Sequence, residues 1–331
     1  MRSYKKPLKN VKQNIVKDSL TSAQHDHGIG LLGKTLLIIN PVSQNGTGSK
    51  NGRDAYNILR NVYHQQVEMI YTQYNGHGAK IVKKACNFDT IIAVGGDGLV
   101  HEVLQGLMSL PKNARPKFGV IPVGSGNDFA RSLNISFHCE TAVNQLLNSY
   151  VTPCDIGCCN GEYFAQTMSF GIDAGIAIYS NQLRKKKSLR GFRLYFESSI
   201  HEINHNLKTY NYKATIDNKK IQGSCFMFAI QNGPTYGGGF KVTPKASIND
   251  GFLDVCYCVG NLTKTKSLYI FGRACMGNHV KLDEITMDRC KKLSISFDQS
   301  IPCQLDGEEH KADKFNVEII PNSLRVFKFA K

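Results

Sequence analysis

No apolar run in this 331-residue chain approaches the roughly 18 residues that a membrane-spanning helix needs. The first 30 residues contain no apolar core of a secretory signal. A soluble or peripheral, cytoplasmic protein is therefore expected. Acidic residues are scarce, 26 against 41 basic ones, and the formal net charge is +15. Such an excess implies anionic partners: nucleic acid, nucleotide phosphates or a negatively charged membrane surface. Cysteine is plentiful, with eleven residues, yet no CxxC pair exists to make a zinc or redox site. The odd count and the chain length argue against a disulfide framework, and Cys154, Cys158, Cys159, Cys256 and Cys258 lie in apolar or strand-like contexts. Reduced thiols are expected.

The length suggests two domains. Residues 1–33 are rich in Lys and polar residues and read as a flexible basic arm, or as an arm that touches a membrane or partner. From Thr35 strand and helix patterns alternate. The strands are "TLLII", "VEMIY", "TIIAV" and "KFGVI"; the helices are 53–62, 79–85 and 100–110. This alternation predicts an α/β domain over 34–150, a parallel sheet with helices on both faces. Beyond 151 the pieces "YFAQTMSFGI", "YKATID", "CFMFAIQN", "FLDVCYCV", "KLSISF" and "FNVEII" are strand-like, with helical patterning mainly near 176–206 and 263–279. They predict a second, β-sandwich-like domain over 151–328, whose last residues could return to the first domain. The active site would lie in the cleft between the two.

One stretch concentrates the chemistry. "TIIAVGGDGLVHEVLQGL" runs from a buried strand through Gly95-Gly96-Asp97-Gly98 directly into a helix. Glycines there permit either a tight turn alone or the close approach of backbone N–H groups to an anion, with Asp97 holding a cation. Two further small-residue loops, "NPVSQNGTGSK" and "PVGSGNDFAR", follow other strands of the same inferred sheet. Ligands bind beyond the carboxyl ends of such strands, so the three loops predict one phosphate-binding rim.

Taken in order, Asn40-Pro41, "GHGAK" at 76–80, "GGDG" with Glu102, "PVGSGNDFAR", "GIDA" at 171–174, "NGPTYGGGF" at 232–240, "NDGFLDV" at 249–255 and "DGE" at 306–308 resemble the diacylglycerol kinase catalytic family. Within it they are most similar to the soluble bacterial lipid kinases, over residues 34–328. The resemblance implies an ATP- and Mg²⁺-dependent kinase that phosphorylates a lipid hydroxyl, diacylglycerol being the first expectation. Other lipid acceptors, a soluble acceptor such as NAD, or a non-catalytic homologue are the alternatives. Two positions depart from the pattern: Leu99 stands where the family usually has Thr, and His101 where it usually has Asn.

By the resemblance, Asn40, Thr72, Gly95, Gly96, Asp97, Gly98, Gly124, Ser125, Gly126 and Asn127 would contact the nucleotide. Asp97 and Asp128 would hold Mg²⁺, and Asp250 a structural Mg²⁺. Asp306 would be the general base, with Glu308 in the metal network. Plain readings compete: Asn40 and Thr72 can end strands in turns, Asn127-Asp128 can cap a helix, and "DGE" can be a solvated turn. Leu99 could face the nucleotide or pack beside Val103, and His101 is expected on the solvent side of its helix. The basic stretch Gln182–Arg193 reads as a solvated helix or as an anionic-membrane face. Expected partners are thus a lipid substrate at an anionic membrane surface and no nucleic acid, and a homodimer is compatible with this reading.

Overall fold

The computed structural model describes residues 31–186, 189–260 and 262–330. Of the basic arm read over residues 1–33, residues 1–30 lie outside them, and Leu32 is not part of a free arm but is buried in the core of the first half. In chain order the first half contains β1 (Thr35–Ile39), α1 (Ser43–Asn57), β2 (Val67–Tyr71), α2 (His77–Lys84), β3 (Thr90–Gly95), α3 (Asp97–Met108), β4 (Lys117–Pro122), α4 (Asp128–Ser132) and α5 (Cys139–Leu147). Strands β1 and β3 are buried at every position, as short apolar runs covered on both faces must be. Parallel pairing gives the order β2-β1-β3-β4. Right-handed crossovers of opposite direction put α1 on one face and α2 and α3 on the other. Accordingly, α2 packs on α3 and α1 on α5.

The second half contains β5 (Tyr150–Cys159), β6 (Glu162–Phe164), β7 (Thr167–Gly171), α6 (Ile172–Lys186), α7 (Gly191–His205), β8 (Tyr210–Ile216), β9 (Lys219–Gln231), β10 (Leu253–Val259), α8 (Lys264–Ala274), β11 (Ile285–Cys290), β12 (Lys292–Phe297), β13 (Cys303–Leu305), β14 (Glu308–Glu309) and β15 (Lys314–Lys328). Its strands pair almost entirely antiparallel, around a core that includes Phe170, Phe228, Leu293 and Phe315. The strand read as "YFAQTMSFGI" is in fact two strands, β6 and β7, broken at Ala165-Gln166. That break supplies backbone N–H groups to the site described below.

Strand β15 joins the halves. It pairs antiparallel with β12 and β5, and its end, at Val326, bridges Phe118 of β4 in parallel. Val326 and Phe327 are fully buried in the same core as β1, β3 and β4. Asp155 of β5, 1% exposed, fastens the joint: its carboxylate accepts the N–H groups of Gly251 and Asn322, each at 2.7 Å. A buried carboxylate is tolerated when hydrogen bonds replace its water. All eleven cysteines are unpaired. No helix among the described residues is long and apolar enough to cross a membrane.

Candidate active site

The loops after β1, β3 and β4 meet at the carboxyl end of the parallel sheet. A Cβ added at Gly124 would stand 2.4 Å from Cα of Gly96, so the second and third loops touch backbone to backbone and only glycine fits there. Asp97, the first residue of α3, spans the contact: its Oδ2 accepts the Asn127 N–H at 2.7 Å and its Oδ1 the Asp128 N–H at 3.0 Å. Asn127 adopts a left-handed φ of 56°, which an Asn side chain tolerates. Gln44 closes the first loop onto the third by donating to the Gly124 carbonyl at 2.7 Å.

Asn40 and Thr72 sit at the same rim. The Asn40 carboxamide accepts its neighbour's Val42 N–H at 3.2 Å, and Thr72 N–H donates to the Ile39 carbonyl at 2.8 Å. Asn40 thus ends its strand in a turn, whereas Thr72 extends the pairing of β2 with β1, and neither arrangement excludes nucleotide contact. Glu102, part of the recurring motif, accepts the Gly78 N–H at 2.8 Å. That clasp between α2 and α3 is structural.

Beyond the loops lies a cavity of about 40 Å³, lined among others by Asp97, Asp128, Gln166, Tyr195, Asp306 and Gly307. Such a volume holds roughly two or three waters. Three carboxylates thus face one small space. Asp306 sits in the turn between β13 and β14 with a left-handed φ of 47°. Its oxygens accept three consecutive N–H groups from the β6–β7 break, Ala165 at 2.6 Å, Gln166 at 2.9 Å and Thr167 at 3.0 Å. Glu308 points back across the cleft, with Oε1 3.4 Å from where a Cβ on Gly98 would stand.

Burial, together with the charge of nearby Asp306, pushes the Asp97 carboxyl above the usual range, against the pull of its two N–H donors. Burial and the adjoining Asp97 raise Asp128 to about 7. Asp128 keeps one oxygen on the Gly238 N–H at 2.9 Å; the other, Oδ1, lies buried 3.6 Å from Arg131 Nε and has no hydrogen-bond partner among the described residues. Two hard carboxylates crowded in a dry space, one with an idle oxygen, fit a divalent cation. Among the described residues no group of three or more such side chains is placed to hold a metal, so phosphate oxygens or water would complete the shell, as Mg²⁺ prefers.

One expectation changes, at His101, and at Leu99 one of two open readings holds. Asp250, read as a structural Mg²⁺ ligand, pairs its carboxylate with the Arg289 guanidinium, which also reaches Asp254 at 3.5 Å. Leu99 does not face the rim. It is 3% exposed and fills the room left by Gly78 and Gly95, with side-chain carbons 3.2 and 2.8 Å from where their Cβ atoms would stand. His101 is not on the solvent side; it is 7% exposed, between Glu162 and Asp306. Helical spacing read it as outward because β6 and the 305–310 hairpin, distant in sequence, cover that face of α3.

The basic stretch 182–193 only partly falls within the described residues, since 187 and 188 lie outside them. What is described runs close to the rim. Asn181 donates to the Gly307 carbonyl at 2.8 Å, and a Cβ on Gly191 would stand 3.5 Å from the Ser125 carbonyl. Sequence reasoning passed over Glu162 and Tyr195, which carry no motif, and assigned no role to Tyr236, inside "NGPTYGGGF", or to His310, two residues past "DGE".

Two outcomes test this geometry. Leu99→Thr empties part of a packed site, so it should destabilise the fold by roughly 1–3 kcal/mol and leave ATP affinity unchanged. Tighter ATP binding in that variant would put position 99 at the nucleotide after all. For Asp128 the folded pKa lies above the unfolded one, so the folded state holds an extra proton between about pH 4 and 7 and loses stability as pH rises through that window. Without divalent cation, Asp128→Asn should therefore melt above the wild type at pH 8, by about 1–3 kcal/mol in stability, and level with it near pH 4. A gap that does not open with pH contradicts the assignment.

Comparison with known proteins agrees with this architecture. The family model for the diacylglycerol kinase catalytic domain matches residues 34–159, and that for the YegS C-terminal NAD kinase beta sandwich-like domain matches 166–328. A "Probable lipid kinase YegS-like" of Yersinia pestis (strain Pestoides F) is 29% identical over 296 residues, covering 88% of this chain and 95% of the relative. Its counterpart in Yersinia pseudotuberculosis serotype O:1b (strain IP 31758) matches to the same extent, 29% over 296 residues. Two crystal structures from Bacillus anthracis strain Sterne share the fold. One, a diacylglycerol kinase, has a TM-score of 0.68 at 21% identity, covering 89% of this chain and 96% of that one. The other, a candidate diacylglycerol kinase, has a TM-score of 0.75 at 22% identity with the same coverage. The chain belongs to the diacylglycerol kinase catalytic family, among the lipid kinases that join this catalytic domain to a YegS-type C-terminal domain.

Proposed function

We propose that this lipid kinase moves the γ-phosphate of ATP to the hydroxyl of diacylglycerol, giving phosphatidic acid. One observation carries the choice of a lipid acceptor. A second, apolar cavity lies between α6, α7, α8 and β9 and shares Tyr195, Tyr236 and Gly237 with the carboxylate-lined one. Its walls include Ile176, Ile203, Phe226, Phe240 and Ile270. A soluble acceptor has no use for such a lining, whereas an acyl chain, for which this cavity of about 50 Å³ would have to widen, would bring a glycerol hydroxyl to the carboxylates. Burial raises Asp173, in the same wall, to about 7, against a hydrogen bond with Ser169.

The chemistry then needs little covalent help. Backbone N–H groups of the rim, with Ser125 and Asn127, would receive the polyphosphate. Asp97 and Asp128 would hold Mg²⁺, which when bound neutralises the phosphate charge. Asp306, fixed by three N–H donors, accepts the proton released as the lipid oxygen bonds to phosphorus and the bond to the β-phosphate breaks. Position within hydrogen-bond reach of the hydroxyl is what this role requires.

The lipid must be reached at a membrane. Phe192 and Phe196 of α7 and Tyr269 of α8 are 47%, 41% and 49% exposed. Phe192 stacks inward on Phe240 at 4.9 Å, and Phe196 meets Phe271 at 5.9 Å. Those inner rings line the apolar cavity. With Arg190, Arg193, Lys264 and Lys266 on or beside the same helices, this face supports peripheral contact with an anionic bilayer.

Labelled ATP with diacylglycerol in mixed micelles should yield phosphatidic acid. Asp306→Asn should abolish that transfer and leave ATP affinity within a few-fold. Near-normal turnover in the variant would remove Asp306 as the base. Replacing Phe192 and Phe196 together by Ser should weaken sedimentation with anionic vesicles by about tenfold, equivalent to ~1.4 kcal/mol. Undiminished binding would move the membrane face elsewhere.

A further inference from the structure

His101 belongs to a buried charged cluster that nucleotide and metal binding do not use. Its Nε2 lies 3.4 Å from Glu162 Oε1, and its Nδ1 lies 3.8 Å from Asp306 Oδ2 with no hydrogen-bond partner among the described residues. The other oxygen of Glu162 binds His310 Nδ1 at 2.7 Å. We infer that His101 is a positioning residue of phosphoryl transfer: held between Glu162 and Asp306, it fixes the Asp306 carboxylate at the floor of the cavity. This rests on the proposed role of Asp306.

Packing alone does not account for the cluster. Helix α3 is already pinned to β6 by Gln105, which donates to the Tyr163 carbonyl at 2.7 Å and accepts the Tyr163 N–H at 3.2 Å. An apolar residue at position 101 would fill the space without burying charge, and apolar replacements of buried ion pairs are often as stable. The charge answers a local need. Asp306 shares its cavity with Asp97 and Asp128, and a cation on the far side of Asp306 offsets that repulsion without competing for the face toward substrate.

The charged groups around His101 agree on the sign, while the Gln105 amide nitrogen, 3.3 Å from Nε2, is a neighbouring donor that does not. On its own helix Asp97 lies toward the cavity and Glu102 is turned to the Gly78 N–H. Glu162 faces it from β6, Asp306 from the turn after β13, and His310 stands behind Glu162. Burial opposes the imidazolium, but Asp306 and Glu162 together outweigh it and raise His101 to about 9. The same pairing holds Glu162 below the usual carboxylate range.

Two measurements test this, one of them independent of activity. In histidine NMR titrations of the whole chain, His101 should stay protonated past pH 8, and Asp306→Asn or Glu162→Gln should bring its titration down toward the ordinary histidine range. In the diacylglycerol assay, wild-type kcat should fall as pH rises through about 9. His101→Asn and His101→Gln should lower kcat at pH 7.5 by about ten- to a hundredfold, lack the alkaline limb and keep KM for ATP within about twofold. Their melting should show that both variants fold. A His101 that titrates in the ordinary range, or folded variants with wild-type kcat and pH profile, would overturn the inference. If the wild type phosphorylates no lipid, the lipid-kinase reading fails on its own. The titration then still decides the ion pair, an ordinary pKa overturning it and a raised one that falls in Asp306→Asn supporting it.

Discussion

Asp97 holds the two glycine loops together by accepting the amide protons of Asn127 and Asp128. The rest of the site follows from that contact. It sets Gly96 against Gly124, turns the N-terminus of α3 toward the cleft and draws Asp128 beside Asp97 in a space too dry for two free charges. A carboxylate used this way acts as a clamp and, in the proposed function, also as half of a cation site. The clamp explains why the loop after β4 cannot move independently of the loop after β3 and why their touching residues, Gly96 and Gly124, lack side chains.

The second half of the chain is built around the same point from the other side. The break between β6 and β7 presents three N–H groups in succession, and Asp306 fills them. Strand β15, by running from the antiparallel sheet into the parallel one, keeps the two carboxylate holders from drifting apart. The carboxylate-lined cavity and the apolar cavity share a wall at Tyr195, Tyr236 and Gly237. Reactive oxygen and acyl chain can therefore be served by adjoining spaces with opposite chemistry.

Much of this was legible in the sequence where local pattern decides. The four apolar strands from Thr35 to Pro122 and the glycine turns after them announce a parallel sheet and its rim. What was not legible depends on contacts distant in sequence. Helical periodicity placed His101 on the outside, because nothing near it reveals that Glu162 and Asp306 cover that face. Leu99 was ambiguous for the same reason: the space it fills is created by the missing side chains of Gly78 and Gly95. The charge at Asp250 was legible but its partner was not, since Arg289 comes from a strand 39 residues later. Tyr195 has no motif and Tyr236 sits unremarked inside "NGPTYGGGF"; both gain significance only as the partition between two cavities.

The central claim is that the carboxylate-lined cavity phosphorylates a lipid delivered through the apolar one. A single reaction containing labelled ATP, Mg²⁺, diacylglycerol in mixed micelles, a sphingoid base and NAD, with every labelled product separated, tests it most directly. Label recovered almost entirely in phosphatidic acid is the predicted result. Label in phosphorylated NAD, or retained in ATP despite measurable nucleotide binding, would contradict it.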